Sequence, residues 1–275
     1  MSFDPRVTLF RDGLADARLE GLIIADRFAP VRPSQVVAPT AALRAAPDLG
    51  AEQVDQLLFG EGFDVLEAAG DFVLGQSVRD GYVGYVGAAA LAATVIAPTH
   101  WISALRAFAF AEPSIKAHAA GPLSFNALVT IVEETQTLAR AERIGWIAKA
   151  HLEPIGSVLD DPAAAALMHL GAPYLWGGRD SAGLDCSGLI QQALFACGLS
   201  CPRDSDQQEL LGAPAPPEGL GRSDLVFWPG HVGMMLDAKR LIHANAFAMA
   251  VTIEPLARAR KRIGEPIACR RLKMV

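Results

Sequence analysis

The sequence predicts a multidomain chain: two small all-β units followed by one α+β unit. Three observations carry that expectation. The 275 residues reach the size at which single cores stop growing, near about 250–300 residues. Two stretches of the first half repeat at nearly one offset. Ala42-Leu43-Arg44-Ala45 returns as Ala104-Leu105-Arg106-Ala107, and Gly84-Tyr85-Val86 as Gly145-Trp146-Ile147, 62 and 61 residues later. Beyond residue 156 the pattern changes from short strands to helices followed by strands.

The resulting boundaries are an amino-terminal extension over 1–33, β units over 34–92 and 93–154, and the α+β unit over 155–275. In the first β unit, apolar runs at 63–66 and 71–74 flank Glu67-Ala-Ala-Gly70, a four-residue hairpin signal. Asp80-Gly81 then turns the chain into a strand over 82–86. The second unit has strand candidates at 127–133, 137–141 and 145–148. In the third, Asp161-Pro162 supplies an N-cap and a first-turn proline, and Gly171 a stop, so a helix is expected between them. A second helix is expected over 186–197, with Leu189, Ile190, Ala193, Leu194 and Cys197 at helical spacing and Gly198 as its stop. Strands follow at 224–228, 231–236, 240–244 and 248–253.

Composition excludes several classes. With 51% apolar and 20% charged residues the chain can bury a core and is not disordered. The 24 basic against 30 acidic side chains leave a formal charge of −6, and residues 1–156 hold 12 of the basic and 18 of the acidic ones. A nucleic-acid scaffold or anionic-membrane binder needs a basic face, so neither partner is expected. The first residues carry acids where an export signal has a basic tip, and the apolar stretch over 83–97 is too short to span a bilayer. A cytoplasmic location is the expectation. The four cysteines at 186, 197, 201 and 269 are too few for a disulfide framework and fit a reducing compartment.

Cys186 is the candidate nucleophile. It follows Asp185 and opens an apolar-periodic helix, where free N–H groups and the helix dipole favour a thiolate. A free thiol is only a few per cent ionised at neutral pH, so a base must also reach it. His231 opens one expected strand and His243 lies in the next, joined by a turn at 237–240. On an antiparallel pair one imidazole can act as base and the other as its orienting partner.

Four motifs occur in order: Tyr174-Leu-Trp-Gly-Gly178, Asp185-Cys-Ser-Gly188, Gly230-His-Val-Gly233 and Leu241-Ile-His-Ala244. Together they resemble the NlpC-type cysteine peptidases of bacterial cell walls, whose catalytic domain is papain-like. The resemblance spans about 157–275 and implies Cys186 as nucleophile, His231 as base, His243 as orienting residue and Tyr174 beside the oxyanion. The first half then resembles the bacterial SH3-like barrels that accompany such peptidases. Two barrels and a catalytic domain resemble a subgroup of cytosolic γ-D-glutamyl-L-diamino-acid endopeptidases, which recycle murein peptides with a free N-terminal L-alanine. That resemblance implies Asp204 for the substrate ammonium and Ser187 and Ser205 for the D-glutamate carboxylate. It also implies an acid and a tyrosine from the first barrel, Glu52 and Tyr82, with Glu61 and Tyr85 as neighbouring rivals.

The expected partner is thus a murein tri- or tetrapeptide, with no cofactor, no metal, no nucleic acid, no membrane and a monomeric state. Three alternatives stand beside this reading: an endopeptidase on intact peptidoglycan, a non-catalytic murein-fragment binder, and acyl transfer to another acceptor. Cys197 and Cys201 lack the paired spacing of a zinc site and are expected to be structural. Trp176 is expected in the core, and Arg258-Ala-Arg-Lys-Arg262 on a solvated face.

Overall fold

In the computed structural model, which describes residues 3–273, the chain parts into two units between Ile155 and Gly156. The first unit is built from strands. Its seven-stranded sheet runs, in spatial order, Leu91–Ala92, Arg32–Val36, Gly62–Ala69, Phe72–Ser77, Val83–Gly87, Thr40–Arg44 and Gln53–Leu58. Alternation sets its inner face: in Thr40–Arg44, Ala41 and Leu43 are buried while their neighbours are partly exposed. The hairpin expected near Gly70 is present but tighter. After a bulge between Val65 and Glu67 the strand continues through Glu67, Ala68 and Ala69, which were expected in the loop, and Ala69 pairs with Phe72.

A five-stranded and a three-stranded sheet follow, from His100 to Pro154. The sequence echo has a structural counterpart. The 3-10 turn Ala88–Ala90 and strand Leu91–Ala92 recur as Lys149–His151 and Leu152–Pro154, 61 residues later. The candidate strand at 127–133 is instead split into Leu128–Val129 and Ile131–Glu134, which join different sheets. The two halves also share a core, in which Leu58 and Phe59 pack with Ile102, Ala107, Leu123 and Ile147. Gln35 fastens the junction: its amide donates to Gly60 O and Ile96 O, and Arg143 Nη1 donates to its oxygen at 2.9 Å.

The amino-terminal extension folds onto the first half. Its small sheet of Phe10–Arg11, Leu14–Asp16 and Arg27–Ala29 places Leu9 and Leu14 against Leu66, Leu74 and Val83. The Val83 N–H donates to Arg6 O at 2.7 Å.

The second unit begins with helix α1 (Pro162–Leu167), whose cap Asp161 accepts the Ala163 N–H at 3.0 Å. It ends earlier than the glycine at 171 suggested, and turns complete the segment. Helix α2 (Cys186–Ala196) buries Leu189, Ile190, Ala193 and Leu194 at their helical spacing. Each such large side chain contributes about 1.5–3 kcal/mol relative to exposure. The short helix α3 (Ser205–Gln208) follows.

A six-stranded antiparallel sheet completes the unit. Its order is Ala213–Pro214, Ala268–Arg271, Leu225–Trp228, His231–Met235, Arg240–Asn245 and Ala250–Pro255. The basic run near residue 260 lies on helix α4 (Leu256–Ile263), which buries Leu256 and Ala259 and presents charge on its other face. No helix among the described residues is long and apolar enough to cross a membrane.

Candidate active site

Cys186 is the first residue of α2, and Asp185 is its N-cap. Asp185 Oδ1 accepts the Gly188 N–H at 2.7 Å, and Oδ2 accepts the Gly177 N–H at 2.9 Å. Arg203, fully buried, grips the same carboxylate with both Nη atoms at 3.0 and 2.6 Å, and its Nη1 also donates to Ser187 Oγ at 2.8 Å. One acid therefore ties together the Trp-Gly-Gly turn, the helix start and a third segment. The fit requires glycine at 188, because a Cβ there would lie 2.2 Å from the Gly178 carbonyl oxygen.

The Cys186 thiol is buried and faces the start of the strand His231–Met235. Its Sγ lies 4.0 Å from Gly230 O, and the main-chain N–H groups of Val232 and Ser187 point to it. It thus packs against both chain neighbours of His231. Burial, reinforced by the Asp185 carboxylate, pushes the thiol up to about 12, outweighing those N–H groups and Arg203. Loss of water and an adjacent acid therefore work against the thiolate that the helix terminus favours.

His231 is the cross-strand partner of Trp228, and their ring centroids are 5.8 Å apart. Its Nε2 lies 2.8 Å from Nδ1 of His243 on the neighbouring strand, so Nδ1 of His231 is the ring nitrogen outside that contact. His243 is fully buried. Beside it, Gly233 leaves space for Leu241, whose Cδ1 would lie 2.5 Å from a Cβ there. Beyond the imidazole, Glu254 Oε1 lies 3.0 Å from His243 Nε2, within ion-pair range though too bent for a linear hydrogen bond. The Arg262 guanidinium holds that same oxygen and sits 4.8 Å from the exposed Phe247 ring. Both imidazoles are held below their ordinary value, His231 by burial, then His243 and Arg262, and His243 by burial, then Arg262. Each is a neutral ring at pH 7, as a proton acceptor must be.

Tyr174 is half-buried; its N–H donates to Met249 O at 3.0 Å. Burial, and after it the neighbouring Cys186 and Asp185, raise its phenol, which keeps the hydroxyl protonated and able to donate. Asp204 caps α3 in a reciprocal box with Gln207, and half-buried Ser205 opens that helix. Ser187 differs from the expectation of a substrate donor. It is buried, accepts from Arg203 and donates to Asp185 Oδ1 at 3.2 Å.

The four amino-terminal candidates lie in the other unit. Glu52 is exposed just before the strand Gln53–Leu58, and Tyr82 is buried in the core of the seven-stranded sheet. Glu61 is buried and accepts the Leu58 N–H at 3.0 Å, while Tyr85 packs beside the amino-terminal extension. Trp176 corrects a second expectation: it is 59% exposed and is no core residue. It stands inside the turn closed by the Gly178 N–H to Leu175 O bond at 3.0 Å, ahead of Gly177, whose φ is positive and whose N–H is held by Asp185. Glu254 was not singled out from sequence, and Arg262, expected on a solvated face, is only 25% exposed and pairs with the Glu254 carboxylate. The available signal was Glu254 at the end of a strand, eight residues before an arginine on the ensuing helix.

Residues 171–261 match the NlpC/P60 family, and residues 43–91 match the bacterial dipeptidyl-peptidase Sh3 domain. Dipeptidyl-peptidase 6 of Lysinibacillus sphaericus is 27% identical over 248 residues, covering 80% of this chain and 90% of its own. Gamma-D-glutamyl-L-lysine dipeptidyl-peptidase of Bacillus cereus is 28% identical over 233 residues, covering 73% and 70%. The crystal structure of an NlpC/P60 family protein from Bacillus cereus has the same fold, with a TM-score of 0.75 at 22% identity over 87% of this chain and 99% of that one. A cysteine at a helix start, two linked imidazoles on adjacent strands and these matches agree, and the chain is a cysteine peptidase of the NlpC/P60 family with an SH3-like β region ahead of its α+β domain.

Proposed function

We propose that this peptidase hydrolyses the γ-D-glutamyl-L-diamino-acid bond of murein peptides that begin with a free L-alanine. The observation that carries the reading is the placement of the Cys186 sulfur against Gly230 and Val232, the two neighbours of His231, whose Nε2 is engaged by His243. Support for the substrate comes from relatives that match along most of the chain and are named dipeptidyl-peptidases, one for a γ-D-glutamyl-L-lysine bond.

In this reading Cys186 Sγ attacks the γ-carbonyl of D-glutamate while its proton passes to His231 Nδ1. The main-chain N–H of Cys186 and the Tyr174 hydroxyl stabilise the oxyanion. Collapse breaks the C–N bond, and His231 returns the proton to the departing amine, leaving a thioester. Water, deprotonated by His231, then releases the dipeptide and restores the thiol. Asp204 is assigned to the substrate ammonium and Ser205 to the D-glutamate carboxylate, since a carboxylate only accepts and a hydroxyl can donate. Ser187, its proton directed at Asp185, supports the motif from beneath. Glu52 and Tyr82 are carried over from the family pattern alone.

Purified protein incubated with L-Ala-γ-D-Glu-meso-diaminopimelate should release the diamino acid, and Cys186→Ala should abolish release while retaining the native circular dichroism spectrum. Acetylating the alanine should remove most activity. Undiminished turnover by Cys186→Ala ends the catalytic assignment. Equal rates on free and acetylated peptide, with stem peptides released from sacculi, would reassign the enzyme to intact peptidoglycan.

A further inference from the structure

We propose that Glu254, clamped by Arg262, is a positioning residue that decides which nitrogen of His231 is the base. The inference rests on Cys186 and His231 being the reacting pair. It starts from proton bookkeeping in a buried chain of groups. Glu254 Oε1 lies 3.0 Å from His243 Nε2 but off the line of a ring N–H, so the carboxylate favours a hydrogen on that nitrogen through its negative charge rather than through a linear hydrogen bond. A neutral imidazole has one N–H, so His243 Nδ1 is bare. The 2.8 Å contact then has to be filled by the hydrogen on His231 Nε2. His231 in turn is left with a bare Nδ1, the tautomer that can take a proton from the thiol.

Among the described residues, no other contact of His243 selects its tautomer. In the opposite form His243 Nδ1–H donates to His231 Nε2, and His231 Nδ1 carries a hydrogen and cannot act as base. Glu254 also lies on the far side of the pair from the thiol, so the positive charge that forms on His231 is met by a carboxylate through one intervening ring.

The local fold is arranged to hold this acid. His243 is opposite Thr252 in the strand ladder, and Glu254, two residues on, projects from the same face. Pro255 ends the strand and caps α4, whose residues 258 and 262 are one turn apart and both reach back to Glu254. Arg262 lies against Phe247, which covers one of its faces.

The test uses the full chain and no murein peptide, so its failure is separable from failure of the substrate assignment. Long-range proton–nitrogen spectra of histidine-labelled protein at neutral pH should show His231 and His243 both protonated on Nε2, with signals assigned by His→Gln variants. In Glu254→Ala both rings should become tautomer mixtures. Alkylation of Cys186 by iodoacetamide, followed on its own peptide by mass spectrometry, should slow on the order of 10- to 100-fold. Glu254→Gln should recover part of the rate, because the amide oxygen keeps a partial negative charge beside Nε2. In a His243→Ala background, Glu254→Ala should change the rate no further. A wild-type His231 protonated on Nδ1 overturns the proposal even where the alanine variant does not fold. An unslowed Glu254→Ala, or an equal penalty in the His243→Ala background, overturns it as well.

Discussion

His231 Nε2 and His243 Nδ1 are 2.8 Å apart, joined across two strands whose connection is the short turn at Asp237. That single contact converts a half-buried imidazole into an oriented one. Removing it should separate catalysis from binding. His243→Ala is expected to lower kcat on the order of 10²- to 10⁴-fold with KM nearly unchanged, measured by steady-state release of the diamino acid. A loss confined to KM would place His243 in substrate binding.

Both imidazoles are held below their ordinary value of 6.5, so the folded protein binds fewer protons than the unfolded chain as the solution becomes acidic. Their contribution to stability is complete above pH 6.5 and is lost as pH falls below it. Melting temperatures should decline from pH 7 toward pH 4, and less steeply in a His231→Gln/His243→Gln protein. The acid limb of kcat/KM should likewise lie below 6.5.

The raised cysteines act on the other side. Cys186, moved from 9.0 to about 12, favours folding as long as the thiol is neutral, and that contribution fades as pH rises above 9.0. Cys197, raised to about 11 by burial and then by Asp161 and Asp160, adds to it. Cys186→Ala should therefore flatten, without abolishing, the fall in melting temperature between pH 9 and 11. An alkaline limb unchanged by the substitution would count against the buried neutral thiol.

Arg203 and Asp185 form a buried ion pair, with side chains 1% and 8% exposed. Arg203→Met leaves the acid without its partner and should cost about 3–5 kcal/mol in urea denaturation. The double variant Arg203→Met/Asp185→Asn should recover part of that loss, because no buried charge is stranded. An additive double variant would show that the two residues do not couple.

Gly188→Ala places a methyl group 2.2 Å from the Gly178 carbonyl oxygen, a main-chain atom that cannot swing aside. The expected cost is about 1–3 kcal/mol together with loss of activity, read by denaturation and turnover on one preparation. Full stability would mean that the Trp-Gly-Gly turn relaxes more freely than its bonds to Asp185 suggest.

The residues that act over a few positions were legible from the amino-acid order. Asp161 with Pro162, and Asp185 ahead of Cys186, announce helix starts because a cap and its N–H partner lie two or three residues apart. The repeat at an offset of 61–62 residues announced a duplicated β pattern. Long-range partners were not legible. Glu254 and Arg262 matter through a contact with His243 that no local period encodes, since only strand register and the direction of α4 bring them together. The charge state of Cys186 was likewise decided by burial: the helix start was visible, but the water it excludes depends on the sheet packed over it. Trp176 and Ser187 illustrate the same division, because residue type suggests core or hydroxyl donor while packing and a buried arginine determine what each side chain meets.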